Sequence, residues 1–245
     1  MPGLEKLTVG ARALSIELRP QARERFEAYF QELVVWNQRL NLTTVTSYEE
    51  VQLKHFLDSL SLVLAFAGLP PTRLNLLDVG TGAGFPGLPL KIVFPTWEVT
   101  LLEATTKKAR FLEHLIVRLG LAEARVVVGR AETVAHDPDF REGFGLVASR
   151  AVAPLPTLVE LTLPFCRVGG RVVAFKKGDM SAELAQAEGG LARLGGHLAQ
   201  MIPVNVTGLA EEDHRLVVID KIAPTPIAYP RRPGIPAKRP LRGHV

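Results

Sequence analysis

Residues 75–90, NLLDVGTGAGFPGLPL, constrain this chain more than any other stretch. An apolar run enters Asp78, then Gly80, Gly82 and Gly84 follow at alternate positions, and a helical pattern begins. Glycine lets the backbone turn sharply at a strand end and approach a ligand closely. The spacing predicts a strand–turn–helix unit, and the rest of the chain repeats the theme. Strands are expected at 74–79, 99–103, 125–128, 146–149, 171–175, 216–220 and, more loosely, 201–206. Helical periodicity falls between them at 86–94, 107–119, 155–165 and 181–194. Such alternation implies an α/β fold with a seven-stranded, mostly parallel sheet covered on both faces. The gap 207–214 is too short for a crossover helix, so the last strand should pair antiparallel.

The flanks have a different character. Residues 21–40 place Phe26, Phe30, Leu33, Val34 and Leu40 at helical spacing. Ser47 followed by Glu50 is a capping-box pattern for a second helix running to about residue 66, ended by Pro70 and Pro71. Residues 223–245 hold six prolines, which fit an extended surface arm rather than a regular helix or central strand. Three segments are thus expected: an N-terminal helical extension at 1–72, a core at 73–222 and a C-terminal arm at 223–245.

The glycine loop admits two ligands. Gly80, Gly82 and Gly84 form the G-x-G-x-G of class I methyltransferases, which bind S-adenosylmethionine; Gly82, Gly84 and Gly87 fit the dinucleotide pattern G-x-G-x-x-G. Dinucleotide sites hold a pyrophosphate on free N–H groups at the helix N-terminus. Pro86 and Pro89 remove two such donors, which favours the phosphate-free cofactor. Glu103 closes the second strand about 20 residues on, where a carboxylate can bond both ribose hydroxyls. Glu132, after the third strand, is placed to accept from an adenine amino group, or to sit as a carboxylate at a helix start. The fold class is therefore Rossmann-like, of the class I methyltransferase type. A nicotinamide oxidoreductase and a non-catalytic RNA-binding module are the alternatives.

Other residues have two readings each. Arg150 ends the fourth strand in Ser149-Arg150-Ala151-Val152-Ala153-Pro154; it suits a methionine carboxylate, an RNA phosphate or a structural ion pair. An Asp/Asn-Pro-Pro-aromatic motif, typical of amino methylation, is absent there. His55 and Asp58, three apart, could share a helix face, with Asn37, Asn41 and Thr43 near them as caps. Lys176 and Lys177 follow the fifth strand and could touch phosphate or simply be exposed.

Composition narrows the setting. A single cysteine, Cys166, allows neither an internal disulfide nor a Cys/His zinc site, and suits a reducing cytosol. No signal-peptide pattern opens the chain, and the apolar stretch 60–69 is far short of the roughly 20 residues a membrane span needs. The net charge is +4, yet residues 221–245 alone carry six cations and no acid. A basic tail of this kind suits nucleic acid, or a solvated end.

These motifs together resemble one family. WNQRLNLT at 36–43, KHFLDSL at 54–60, DVGTGAGFPGLPL at 78–90, GRAE at 129–132, SRAVAPL at 149–155, FKKG at 175–178 and YPRRPGIPAKRPL at 229–241 are similar to the glucose-inhibited division protein B (RsmG) family. That family comprises bacterial 16S rRNA guanine-N7 methyltransferases. The resemblance implies methylation of one guanosine in the 530 loop, guanine 527 in the family's rRNA numbering. It implies cofactor contacts at Gly80, Phe85, Glu103, Ala104, Thr105, Ala131, Glu132 and Arg150, and places Arg231, Arg232 and Lys238 near RNA. The expected partner is 16S rRNA or the assembling small subunit, met by a cytoplasmic monomer without metal or membrane. N7 of guanine carries an in-plane lone pair and no proton, so no general base is expected.

Overall fold

A computed structural model describes residues 3–209 and 213–241. Seven strands form one sheet in the order β3-β2-β1-β4-β5-β7-β6. They are β1 (Asn75–Val79), β2 (Glu98–Glu103), β3 (Ala124–Val128), β4 (Phe144–Arg150), β5 (Cys166–Lys177), β6 (Gly196–Pro203) and β7 (His214–Lys221). The first five run parallel, and β7 is antiparallel to both β5 and β6. The expected antiparallel strand is thus present, and the short 207–214 gap is its physical cause. Central strands such as LLDV in β1 and LVAS in β4 are buried along their length, as a sheet covered on both faces requires.

Five core helices connect these strands: α5 (Gly87–Val93), α6 (Thr106–Leu119), α7 (Ala131–Val134), α8 (Leu155–Thr162) and α9 (Ser181–Leu194). Four follow the expected positions. The short α7 does not, because a single turn is too brief to show periodicity. One hydrophobic cluster joins Phe26, Phe56, Leu88 and Phe111 on one face of the sheet; another joins Leu155, Leu158, Phe165 and Leu191 on the other. Because strand order reverses between β1 and β4, a crevice lies outside their carboxyl ends, where open α/β sheets bind ligands.

The N-terminal part is more elaborate than its sequence suggests. An additional helix, α1 (Glu5–Ala13), buries Leu7 and Ala11, and Gly10 lies so close to Leu57 that a Cβ would come within 2.3 Å of it. α2 (Pro20–Leu40) matches its expected span. The capping box forms, with Ser47 Oγ accepting from the Glu50 amide and donating to Glu50 Oε2. The helix it opens is not uniform. α3 (Tyr48–Val51) passes into a π-helical turn at Gln52–Leu57, then α4 (Asp58–Leu60) and a 3₁₀ turn at Ser61–Ala65. π-turns are frequent at functional sites, and this one presents Lys54 O to Arg150 at the end of β4.

The C-terminal arm differs from the extended form expected: its described residues follow irregular turns, such as the one closed by Tyr229 N on Pro226 O, and include a single helical turn, α10 (Ile235–Lys238). Pro236 lies in its first turn, where a missing N–H costs nothing, and Gly234 precedes it at φ +81°. Arg141 holds the arm by donating to the carbonyls of Thr225, Pro226 and Tyr229. Arg242 lies outside the described residues.

Candidate functional site

The loop after β1 is a closed hydrogen-bonding unit. The amides of Gly80 and Thr81 donate to Leu102 O, and those of Gly84 and Phe85 to Thr81 O. Gly82 N donates to Glu103 Oε2, Gly87 N to Asp78 Oδ2 and Leu88 N to Gly84 O. A pyrophosphate would need several of these donors, and all seven are engaged within the protein. Gly80, Gly82 and Gly84 have φ of +68°, +61° and +98°. At Gly82 an added Cβ would meet only the Gly80 carbonyl, at 4.0 Å, so this glycine opens onto free space. Gly84 serves another purpose: a Cβ there would strike Tyr29 Oη at 2.5 Å and Leu88 Cδ1 at 2.7 Å.

Acceptors dominate the rim. Glu103 is buried and accepts from Gly82 N (3.0 Å) and Thr105 N (2.8 Å), one bond per oxygen, leaving further lone pairs on each. Asp78 is fully buried; burial pushes its carboxyl up to about 6 despite hydrogen bonds from Thr81 and Gly87. Its Oδ1 is buried without a hydrogen-bond partner. Glu132 is also buried, and its carboxylate accepts from a single donor among the described residues, the Gly234 amide of the arm, at 2.9 Å. Ala104 and Thr105 are exposed beside Glu103, and Ala131 is half-buried.

Arg150 lies at the centre of a network reaching from the N-terminal helices to β7. Its Nη1 donates to Lys54 O and Asp58 Oδ2, both at 2.8 Å, and Nη2 lies 3.2 Å from His55 Nδ1. Asp58 Oδ1 meets His214 Nδ1 at 2.7 Å. His55 Nε2 meets Thr43 Oγ1 at 2.7 Å, and Asn37 holds Thr43 through two bonds of 2.9 Å. Phe85 is stacked between Tyr29 (centroids 5.3 Å) and His55 (4.6 Å), with the Arg150 guanidinium 5.1 Å from its ring centre. Burial and the Arg150 charge lower His55 to about 4, so it is neutral at pH 7. Burial alone would raise Asp58, but the bond with His214 and the Arg150 charge hold it below the ordinary carboxylate value.

His55 and Asp58 do face one side of their helix, but they do not bond each other; Arg150 joins them. Tyr29, which donates to Ala83 O at 2.6 Å, and His214 are parts of the site that sequence reading missed. Tyr29 falls on the apolar face already marked by Phe26 and Leu33, which was its only signal. His214 had none, being brought to Asp58 by the β5–β7 pairing.

The cations expected at RNA divide into two kinds. Arg232 and Lys238 are exposed on the arm. Arg231 grips the fully buried Glu160 through its backbone N, Nε and Nη2, the last at 2.6 Å. Lys176, largely buried, donates to Glu183 at 2.7 Å and Ala153 O at 2.9 Å. Both charges are therefore compensated inside the protein. Among the described residues, no group of three or more His, Cys, Asp or Glu is placed to hold a metal ion.

The donor set fits S-adenosylmethionine. Acceptors at Glu103 and Glu132 suit ribose hydroxyls and an adenine amino group. The open Gly82 face suits a close backbone approach, and Arg150, with Nη1 held by Lys54 O and Asp58, keeps N–H groups on Nη2 and Nε for a carboxylate.

Comparison with known proteins agrees with this geometry. Residues 22–215 match the family described as "GidB: rRNA small subunit methyltransferase G". "Ribosomal RNA small subunit methyltransferase G" of Dehalococcoides mccartyi strain CBDB1 is 52% identical over 97% of this chain and 100% of its own length. The proteins of that name from Roseiflexus castenholzii and Lachnoclostridium phytofermentans are 47% and 44% identical. They cover 97% and 95% of this chain, and 100% and 95% of their own lengths. Among solved structures, a point mutant of MtNAS in complex with S-adenosylmethionine aligns with TM-score 0.54 at 17% identity, covering 81% of this chain and 72% of that one. TrmN from Thermus thermophilus aligns with TM-score 0.50 at 22% identity, covering 68% of this chain and 48% of that one. These two likenesses concern the fold, which is that of Rossmann-like methyltransferases. With a family match across most of the chain and relatives near half identity over nearly their full lengths, the chain belongs to the rRNA small subunit methyltransferase G family.

Proposed function

We propose that this enzyme methylates N7 of the 530-loop guanosine of 16S rRNA, guanine 527 in the family's numbering, and that its glycine loop, Glu103, Glu132 and Arg150 hold the methyl donor. As a member of its family the chain is an S-adenosylmethionine-dependent 16S rRNA guanine-N7 methyltransferase. The observation that carries the cofactor reading is the loop itself, with seven of its amides engaged within the protein and, among its glycines, Gly82 facing open space. That arrangement disfavours a dinucleotide, and an intact set of acceptors disfavours a vestigial site.

In this reading Gly80, Gly82 and Gly84 shape the cradle. Glu103 orients the ribose through its remaining lone pairs, Glu132 takes the adenine amino group, and Phe85, Ala104, Thr105 and Ala131 line the pocket. Arg150 takes the methionine carboxylate. S-Adenosylmethionine brings a methyl group on a sulfonium, so its displacement needs no leaving-group protonation. The guanine N7 needs no deprotonation, so the protein contributes positioning, which can supply much of the rate. Arg232 and Lys238 contact phosphate, while Arg231 and Lys176 brace the arm and the β5 end. The cytoplasm, where small subunits assemble, is the compartment. Radiolabelled S-adenosylmethionine with unmethylated small-subunit RNA or particles tests the assignment. A label mapped to an exocyclic amine or a ribose hydroxyl overturns it.

His55 acts as a brace, and its geometry makes the prediction specific. Its Nε2 is paired with Thr43 Oγ1, and its Nδ1 lies against both Lys54 O (3.1 Å) and Arg150 Nη2 (3.2 Å), so in either tautomer both nitrogens are occupied and neither is left to receive a substrate proton. A general base would contribute typically 10²–10⁴-fold. His55→Gln is expected to keep the single-turnover rate within about tenfold of wild type once RNA and cofactor are saturating. The wild-type profile should show no limb at about 4, the value to which burial and Arg150 lower His55. A limb there that disappears in His55→Gln contradicts the brace.

The two kinds of arm cation separate in a second measurement. Arg232→Ala with Lys238→Ala should weaken RNA binding and flatten its salt dependence by roughly 0.7 to 0.9 in slope per lost phosphate contact. Cofactor affinity should hold. An unchanged slope removes these two residues from the RNA interface.

A further inference from the structure

The arm reaches the cofactor end of the molecule at one atom pair. Glu132 Oε1 accepts from Gly234 N at 2.9 Å, and among the described residues this is the only hydrogen bond the carboxylate makes. The side chain is buried, and one side of it borders open space. A cavity of about 610 Å³ lies between α7 and the arm, lined by Glu132, Thr133, His136, Ile227, Pro230 and Ile235 among others. The Gly234 amide is itself aimed by the arm's anchors. His136 Nε2 meets Pro230 O at 2.8 Å, Arg231 is locked on Glu160, and Thr157 Oγ1 reaches Pro236 O at 3.3 Å. Gly234 adopts φ +81°, a conformation that glycine tolerates and that asparagine visits more readily than other side chains.

We propose that Gly234 is a positioning residue for cofactor recognition: its amide fixes one oxygen of Glu132 so that the other is presented to the adenine amino group. The inference rests on the reading of Glu132 as the adenine acceptor. It makes the arm part of the adenosine site as well as a carrier of RNA-facing cations. A carboxylate held this way accepts from the 6-amino group of adenine and repels the 6-oxo group of hypoxanthine. Selectivity between the two bases, rather than affinity alone, is therefore the signature of correct placement.

The test compares dissociation constants for S-adenosylhomocysteine and its 6-oxo analogue, S-inosylhomocysteine, by calorimetry on the full chain. Wild type should prefer the amino compound by at least about tenfold, the scale of a hydrogen bond to a buried charge. Glu132→Gln should lose most of that preference, which tests the underlying reading. A Cβ at Gly234 meets nothing within 4 Å, so substitutions there act through the backbone alone. Gly234→Val, which disfavours positive φ, should bring the preference within about threefold of unity, and Gly234→Asn should retain it. Arg231→Lys, whose ammonium cannot reproduce the fork on Glu160, should lower it partway and stands in should Gly234→Val not fold. Retained preference in both Gly234→Val and Arg231→Lys, with loss in Glu132→Gln, overturns the role of the arm while leaving the adenine reading standing. Retained preference in Glu132→Gln overturns both.

Discussion

Gly82→Val is expected to weaken S-adenosylmethionine binding by at least about a hundredfold, some 2.7 kcal/mol, in a chain that still folds. The two halves of that expectation have separate causes. A Cβ at Gly82 has no protein atom nearer than Gly80 O at 4.0 Å, so the native packing is left alone. The remaining cost is a β-branched residue in the left-handed region at φ +61°. That costs roughly 1–2 kcal/mol, against a usual stability of about 5–15 kcal/mol. The isopropyl group then occupies the space onto which the loop opens, where the reading places the cofactor. Backbone strain also disturbs Gly82 N, which orients Glu103. Gly84→Val provides the contrast. Its Cβ runs into Tyr29 and Leu88, so that variant should lose stability first and binding as a consequence. Calorimetry and thermal melting of both variants decide the matter. Near-normal affinity in folded Gly82→Val removes the loop from the cofactor site.

Much of this site could be read before the fold was known, because its parts lie where sequence and structure share a rule. A ligand loop between an apolar strand and a helix must contain glycine, and an acid at the next strand end lands beside it because β1 and β2 pair in parallel, Val79 opposite Leu102. Glu103 therefore follows from register. Arg150 follows from β4 being the other neighbour of β1, at the switch point.

What stayed hidden depends on contacts that no local pattern carries. The π-turn at Gln52–Leu57 presents a carbonyl, Lys54 O, to Arg150, yet its sequence reads as ordinary amphipathic helix. His214 is joined to Asp58 across 156 positions by strand pairing. The cations were the least legible. Residues 221–245 look like a uniform basic tail, but Arg231 belongs to a buried acid on α8, and Lys221 lies buried against Glu142 at 3.0 Å. Charge counts do not distinguish a phosphate ligand from a compensated ion; burial of the partner does.

Asp58→Ala should be the most damaging single change in the network, costing about 3–5 kcal/mol, the usual consequence of removing one partner from a buried ion pair. Asp58 is 5% exposed and Arg150 16%, so water cannot readily take over the guanidinium once the carboxylate is gone. His214 loses its partner on the other oxygen in the same step. Asp58→Asn keeps the shape and an acceptor oxygen while removing the charge, and should cost less. Their difference separates charge from hydrogen bonding. The pH dependence has a definite sign. The Asp58 carboxyl is held below its ordinary 3.8 in the folded chain, so its contribution is complete above that value and disappears as pH falls through the lower folded one. The gap between wild type and Asp58→Ala in denaturant unfolding should therefore narrow below about pH 4. A loss under about 1 kcal/mol at pH 7 with an unchanged denaturant slope would mean that the pair contributes no more than a surface salt bridge. The network would then be a consequence of the fold around Arg150 and not what holds that guanidinium at the crevice.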